Sequence, residues 1–465
     1  MSEHRDELEQ WLGEPVQHML PPPGTFELIR KRARRRKVRQ AALSAAGVAA
    51  VVAVGVTVPK LVIPTTHLST RLTTGSQSPS PGQHGTPMRP AGHSSAPVVM
   101  TSPTAGSRSV WVPPNFQVSS ATFVGNQTGF VLGQAGTPGQ CGPPKAYVCT
   151  SLARTDNAGG SWSGVPAPVA GAPNGSTGVS QVRFLNTGYG WVYGPQLFAT
   201  TDGGLTWARV GTHGQRVTDL ETIDGRVFAV WADCRGSGAD FAAGCTSFSL
   251  YSSAAGTSNW APVPGVTGLS QASGAPSSAF LVLTGTRGYL IGPNGELYSG
   301  PVSRASGWGP VTNAHSPVTL HCSPGTAQPD GVPSQAFLAA TGSGGLVLFC
   351  PGTSPGSPQP GSLYYSTDGG ATWQPQGTVP VQGTPTSLSG SPAGAVMLAS
   401  ASGIEVASSP AGPWQVARTS PAPGGFTYVG MTEANQGIAV AARQSLHGLW
   451  FTFNSGLRWH ALQIP

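Results

Sequence analysis

Groups able to do acid–base chemistry are scarce in the C-terminal part of this chain. Beyond residue 108 the glutamates are Glu221, Glu296, Glu405 and Glu433. A hydrolase working through two carboxylates needs a pair whose surroundings push their pKa values apart, and the sequence singles out no such pair. Glu405, just before a weak repeat copy, reads as a solvated strand end. Asp156, Asp202 and Asp368 recur in one local context, which points to turn chemistry rather than catalysis. Gly352-Thr353-Ser354-Pro355-Gly356 has the outline of a nucleophile elbow. The elbow needs an N–H on the residue after serine, and Pro355 has none, so the segment is a loop. Three cysteine pairs lie close in sequence, and Asp233, Arg235, Asp240 and Phe241 cluster around one of them. No Cys-x-x-Cys occurs and the histidines do not gather around the cysteines, so no metal or other cofactor is expected.

The elements that must carry these residues follow from composition. Of 465 residues, 65 are glycine and 44 proline, while only 9% are charged against a usual share of about 25%. Long surface helices need Lys, Glu and Arg, so a mostly helical protein is excluded. The 38% apolar share is too high for a wholly disordered chain and too low for a polytopic membrane protein. Short strands joined by many turns remain. The formal net charge of +7 forms no basic stripe outside the first forty residues, so nucleic acid is not an expected partner.

Residues 1–40 form a polar tail ending in the basic run Arg30-Lys31-Arg32-Ala33-Arg34-Arg35-Arg36-Lys37-Val38-Arg39. Ala41 to Val58 then carries no charge, and the apolar stretch 41–63 predicts a single transmembrane helix. The basic flank predicts a cytoplasmic N-terminus and an extracytoplasmic C-terminal part. A cleaved signal peptide would need a charged leader of about forty residues and a small-residue cleavage site, and neither matches. Residues 64–108 are Ser, Thr, Pro and Gly with almost nothing to bury, which makes them a disordered linker.

The remaining 109–465 repeat. Thr200-Thr201-Asp202-Gly203-Gly204-Leu205-Thr206-Trp207 and Ser366-Thr367-Asp368-Gly369-Gly370-Ala371-Thr372-Trp373 share one pattern. Thr155 to Trp162 fits it if Asp156 is the aspartate and one extra residue precedes the glycine. Asn454 replaces the aspartate in the copy ending at Trp459, and weaker copies end at Trp260, Trp308 and Trp414. Aspartate accepts turn N–H groups, glycine supplies positive φ, and tryptophan opens the next strand. Each unit carries further short strands upstream, such as Val179 to Phe184 and Gly188 to Gly194. Seven units of four strands predict an all-β, seven-bladed β-propeller, with each hairpin joining third and fourth strands. Ser109-Val110-Trp111-Val112 is expected to pair near blade seven and help close the ring.

The motif resembles the Asp-box, or bacterial neuraminidase repeat, of sialidases, sortilin-type receptors and photosystem II assembly-factor-like propellers. The resemblance covers about 110–465 and is similar to that of membrane-anchored bacterial proteins. It implies that Asp156, Trp162, Asp202, Trp207, Asp368, Trp373, Asn454 and Trp459 are structural and lie away from the ligand face. It also implies an alternative activity, a sialidase-like glycoside hydrolase. The arginine triad and the Phe/Tyr-Arg-Ile-Pro segment of that family are absent, and the nearest match, Val182-Arg183-Phe184, lies within a repeat strand.

Proximity predicts the disulfides Cys141–Cys149, Cys234–Cys245 and Cys322–Cys350, which suit an extracytoplasmic domain. Strand alternation places all three on the face opposite the hairpins. The loop between Cys234 and Cys245 makes Asp233, Arg235, Asp240 and Phe241 the ligand-face candidates. The expected function is a membrane-anchored platform at the cell envelope that binds protein or glycan.

Overall fold

The computed structural model describes residues 112, 116–134, 150–171, 177–234, 245–270, 279–311, 322, 336–342, 344–352, 360–381, 383–420, 424–442 and 448–464. The expected tail 1–40, transmembrane segment 41–63 and linker 64–108 lie outside the described residues, as do Ser109 to Trp111. Among the described residues no helix is long and apolar enough to cross a membrane.

The described residues fold into seven antiparallel sheets in chain order, a seven-bladed β-propeller. The innermost strands are Gln117–Val124, Gln181–Phe184, Arg216–Ile223, Phe280–Leu283, Phe337–Thr341, Pro385–Gly390 and Phe426–Met431. Three further strands follow each in a simple meander, and in blade three the short strand Leu269–Ser270 also pairs with the third strand. Blade seven takes its fourth strand, His460–Leu462, from the end of the chain, and blade one is built wholly from Gln117–Val165.

Burial explains the strand sequences. Second strands lie between two neighbouring blades, so both faces need apolar residues. Gly190–Tyr193, Gly345–Cys350, Val396–Ser400 and Gly437–Ala441 are buried throughout. Fourth strands form the rim, and Gln374–Val379 and Trp414–Thr419 are largely exposed and polar. Glycines open several second strands because inner-strand rings lie on them. A Cβ at Gly129 or Gly190 would collide with the ring of Phe123 or Phe184.

Seven hydrophobic clusters fill the seven seams between blades. Each takes the hairpin tryptophan of one blade against the strands of the blade before it. Trp207 packs with Phe130, Leu152 and Phe184, and its Nε1 donates to the Pro166 carbonyl at 2.9 Å. Trp308 packs on Phe228, and Trp459 on Met397 and Val406. The last seam joins the two ends of the chain: Trp162 and Phe123 of blade one meet Ile438, Val440 and Phe451 of blade seven. Side-chain packing therefore closes the ring without exchange of a strand between the described termini.

The hairpins share one hydrogen-bond pattern, and it corrects the blade-one alignment. In blade two, Thr200 Oγ1 accepts the Gly204 N–H (2.9 Å) and donates to Asp202 Oδ1 (2.7 Å). Asp202 also accepts the N–H and the hydroxyl of Thr206 (2.9 and 2.6 Å). Ser366, Asp368, Gly370 and Thr372 repeat this in blade five, and Thr452, Asn454 and Gly456 in blade seven. In blade one the equivalent acceptor is Asn157, which takes the Ser161 N–H at 2.8 Å and the Thr155 hydroxyl at 3.0 Å. Asp156 sits one residue earlier, exposed, bonded to Arg154 and Thr128. The copy therefore has no extra residue. The glycine after the turn has φ of 86–91° at Gly159, Gly204, Gly370 and Gly456.

A second correction concerns Glu405. It is 0% exposed, in the third strand Gly403–Ala407 of blade six, and is not a solvated strand end.

Candidate functional site

Inner strands run side by side around the axis, but the blades are separate sheets, so neighbouring inner strands are not laddered together. Residues from all seven inner strands line a central channel, while others pack into the seams between blades. A bulge near the start of four of them, after Val118, Val217, Pro385 and Phe426, swings the next residue toward the neighbouring blade. The extra residue is Ser119, Thr218, Thr386 or Thr427. In blades one, three and seven its hydroxyl donates to a carbonyl of the blade's second strand, that of Leu132, Val230 and Val440 respectively.

The swung side chains stitch the blades together. Ser120 Oγ accepts the Val182 N–H at 3.1 Å, and Ser387 and Ser389 accept those of Val429 and Met431. At the boundary of blades three and four the acceptor is a carboxylate. Asp219 Oδ2 accepts the Leu281 N–H, and Oδ1 the Leu220 N–H, both at 2.8 Å. Two residues on, Glu221 Oε1 accepts from Arg183 Nη2 at 2.8 Å, across the boundary of blades two and three. Arg183 Nε donates to the Leu220 carbonyl at 3.2 Å. Tyr428 of blade seven lines the same cavity.

These groups line a cavity of about 550 Å³ that runs from the middle of the inner strands to their C-terminal ends. Those ends lie on the face of the third-to-fourth hairpins: the Gly203 N–H bonds the Gly188 carbonyl, and Ser455 bonds Asn435. The wall is two-sided. Arg183, Asp219, Glu221, Ser389 and Tyr428 form a polar arc, while Phe280 and Phe337 of blades four and five, 6.2 Å apart between ring centroids, lie on the apolar side, Phe337 largely buried against Phe349.

Enclosure sets the electrostatics. Burial, and then the charge on Glu221, push the Asp219 carboxyl up to about 7, against the pull of the two backbone N–H groups and Arg183. Burial also raises Glu221 above the usual carboxylate range, although Arg183 pulls it back. Burial works against the charge of Arg183, but Glu221, Tyr428 and Tyr193 around it hold its proton more tightly than usual. Side-chain exposure of 16% for Arg183 and 30% for Glu221 shows that the channel still admits water.

Among the expected ligand-face residues, Asp233 is exposed at the end of the second strand of blade three and does not line the cavity. Arg235, Asp240 and Phe241 lie outside the described residues. The disulfides Cys234–Cys245 and Cys322–Cys350 are formed. Cys234 and Cys350 end second strands and Cys245 opens a third strand, on the face opposite the hairpins; Cys322 precedes the inner strand of blade five in sequence, and Cys141 and Cys149 lie outside the described residues. Asp202 and Asp368 stand in exposed turns, where their bonds to Thr206 and Thr372 hold both carboxyls low, Asp368 at about 2. Among the described residues no three His, Cys, Asp or Glu are grouped to hold a metal.

The cavity residues were not singled out from sequence. In the sequence Arg183 is one position of a repeat strand and Glu221 one isolated glutamate. The one local sign is Val217-Thr218-Asp219-Leu220-Glu221, two acids on the same side of a strand that otherwise reads as inner.

No protein-family profile matches the chain, and neither does any curated protein sequence. Solved structures do. An α-L-arabinanase of Penicillium chrysogenum complexed with arabinobiose matches 76% of this chain and 97% of its own at 14% identity and a TM-score of 0.39. An α-L-arabinofuranosidase of Fusarium graminearum complexed with arabinobiose matches 72% and 91% at 13% identity and a TM-score of 0.36. At these values the likeness concerns fold alone.

Proposed function

We propose that this chain is a glycan-binding β-propeller, held at a cell envelope by its N-terminal segment, with the central channel as its ligand site. One observation carries the reading. A single cavity sets Asp219, Glu221, Arg183 and Tyr428 against Phe280 and Phe337. A sugar ring has that same division, hydroxyls around its edge and C–H groups on its faces. Carboxylates and guanidinium supply charge-assisted hydrogen bonds in fixed directions, and aromatic rings supply apolar area without competing for those bonds. A structural clasp needs only a hydroxyl, as Ser120 and Ser387 demonstrate. Asp219 brings a charge beyond that need.

A second reading, glycoside hydrolysis, is favoured by the raised Asp219 beside Glu221. One carboxyl protonated and the other ionised near neutral pH is the acid–base division that such hydrolysis uses.

The test uses residues 109–465, made in an oxidising compartment. Titration with a panel of mono- and oligosaccharides should show saturable binding of at least one neutral glycan, which D219N and E221Q weaken by tenfold or more. Absence of binding to any glycan sinks the reading. Release of reducing ends by the wild type, lost in both variants, would promote the second. For the anchoring, a reporter fused at Pro465 of the full chain should be active only outside the cytoplasm.

A further inference from the structure

Glu221 does more than line the channel: we infer that, by engaging Arg183, it sets the ligand class to neutral sugars and excludes carboxylated ones. This rests on the reading of the channel as a glycan site. Among the described residues lining the cavity, Arg183 is the one lysine or arginine. A guanidinium has five N–H donors in a fixed fork, and binds a carboxylate best by presenting two parallel N–H groups. In this channel Nη2 is committed to Glu221 Oε1 at 2.8 Å and Nε to the Leu220 carbonyl at 3.2 Å. The side edge of the fork, formed by Nε and Nη2, is already filled from within the protein.

The charge balance points the same way. An acidic ligand would place a further negative charge beside Glu221 and Asp219, with a single guanidinium to offset them. The opposite wall, Phe280 and Phe337, supplies no compensating cation. A neutral sugar meets no such conflict. Glu221 Oε2 has no partner among the described residues, and each Asp219 oxygen has a second lone pair beyond the N–H it holds, so both carboxyls can accept hydroxyls. Glu221 is thus a positioning residue: it acts on specificity through Arg183.

Removing its charge should therefore create an activity rather than only destroy one. In E221Q the amide keeps the side chain's size and one acceptor oxygen but removes the negative charge that holds Arg183 and repels an acid. Binding of glucose, N-acetylglucosamine, glucuronic acid and N-acetylneuraminic acid would be measured for wild type and E221Q at pH 7.5, with circular dichroism to check folding. The wild type should bind a neutral sugar at least tenfold more tightly than either acid. E221Q should bind an acid at least tenfold more tightly than the wild type does. A wild type that binds acids as well as neutral sugars overturns the inference and leaves the glycan reading standing. So does a folded E221Q with no gain for acids. If E221Q fails to fold, the wild-type ratio decides alone. If no glycan binds to the wild type, the glycan reading falls and takes this inference with it.

Discussion

Asp219 Oδ2 accepts the backbone N–H of Leu281 at 2.8 Å, and this one bond joins the inner strands of blades three and four. Ser120 does the same for Val182 between blades one and two, and Ser387 for Val429 between blades six and seven. Blades that do not share a sheet are held at the axis by side chain to backbone bonds. At two seams the side chain also brings a charge into the channel: Arg183, which donates to the Leu220 carbonyl, between blades two and three, and Asp219 between blades three and four.

Removing that acceptor should leave the Leu281 N–H unsatisfied, at a cost of about 1–3 kcal/mol. Asp219→Ala is therefore expected to unfold at a clearly lower temperature than the wild type. Asp219→Asn retains an oxygen and should lose less. Asp219→Ser reproduces the arrangement at Ser120 and should also lose less than alanine. Thermal unfolding of the three variants ranks them, and an Asp219→Ala protein as stable as the wild type would contradict the clasp.

The same residue sets a pH dependence of unusual sign. Its carboxyl lies at about 7 in the fold, above the unfolded value near 3.9, so between these limits the native state binds the extra proton. The associated stability is complete below about pH 4 and is lost as pH rises through about 7. Glu221 is shifted in the same direction. Asp368 works oppositely: held at about 2, it contributes above pH 4 and loses that contribution as pH falls through 2. Denaturant unfolding at pH 5, 6, 7 and 8 should show falling stability, with a shallower slope in Asp219→Asn.

The blade-one turn offers a test of register. Asn157 holds the Ser161 N–H and the Thr155 hydroxyl, as Asp202 does for its own turn. Asn157→Ala should cost about 0.5–2 kcal/mol, as loss of a capping acceptor does. Asp156 makes a surface ion pair with Arg154, and such pairs contribute about 0–1 kcal/mol. Asp156→Ala should therefore change unfolding little. The reverse ranking would restore the alignment that places Asp156 in the turn.

Backbone conformation makes a further pair of predictions. Ala158 has φ of 55°, where blades two and five carry Gly203 and Gly369 at 75° and 73°. Ala158→Gly should relieve strain and raise stability, by up to about 1 kcal/mol. Gly204, at φ 91°, has the Val165 side chain 2.8 Å from where a Cβ would lie. Gly204→Ala should destabilise by about 1–2 kcal/mol or more from the left-handed backbone alone. Chemical denaturation midpoints for the two variants should move in opposite directions.

Local chemistry made much of the architecture legible in the amino-acid sequence. A hairpin that needs a hydroxyl, a carboxylate or amide oxygen and a left-handed glycine within five residues leaves a mark that survives wherever those bonds are made. That is why the order of strands, the number of blades and the hairpin before each tryptophan could be read in advance. The Cys234–Cys245 bridge is legible because its cysteines flank one loop 11 residues apart, and Cys322–Cys350 because each is the other's nearest remaining cysteine in sequence. The tertiary structure decided what depends on closing the ring. The blade-one turn is not among these: Asn157 stands two residues after Thr155 and two before Gly159, the spacing of Thr200, Asp202 and Gly204, so its register is local. Glu405 is buried because a neighbouring blade covers the strand it sits on, which no pattern local to that strand announces. Above all, Arg183, Glu221, Tyr428 and Phe337 come from four different blades. Each is one ordinary position on an inner strand, and they face one another only because seven strands distant in sequence converge on a common axis.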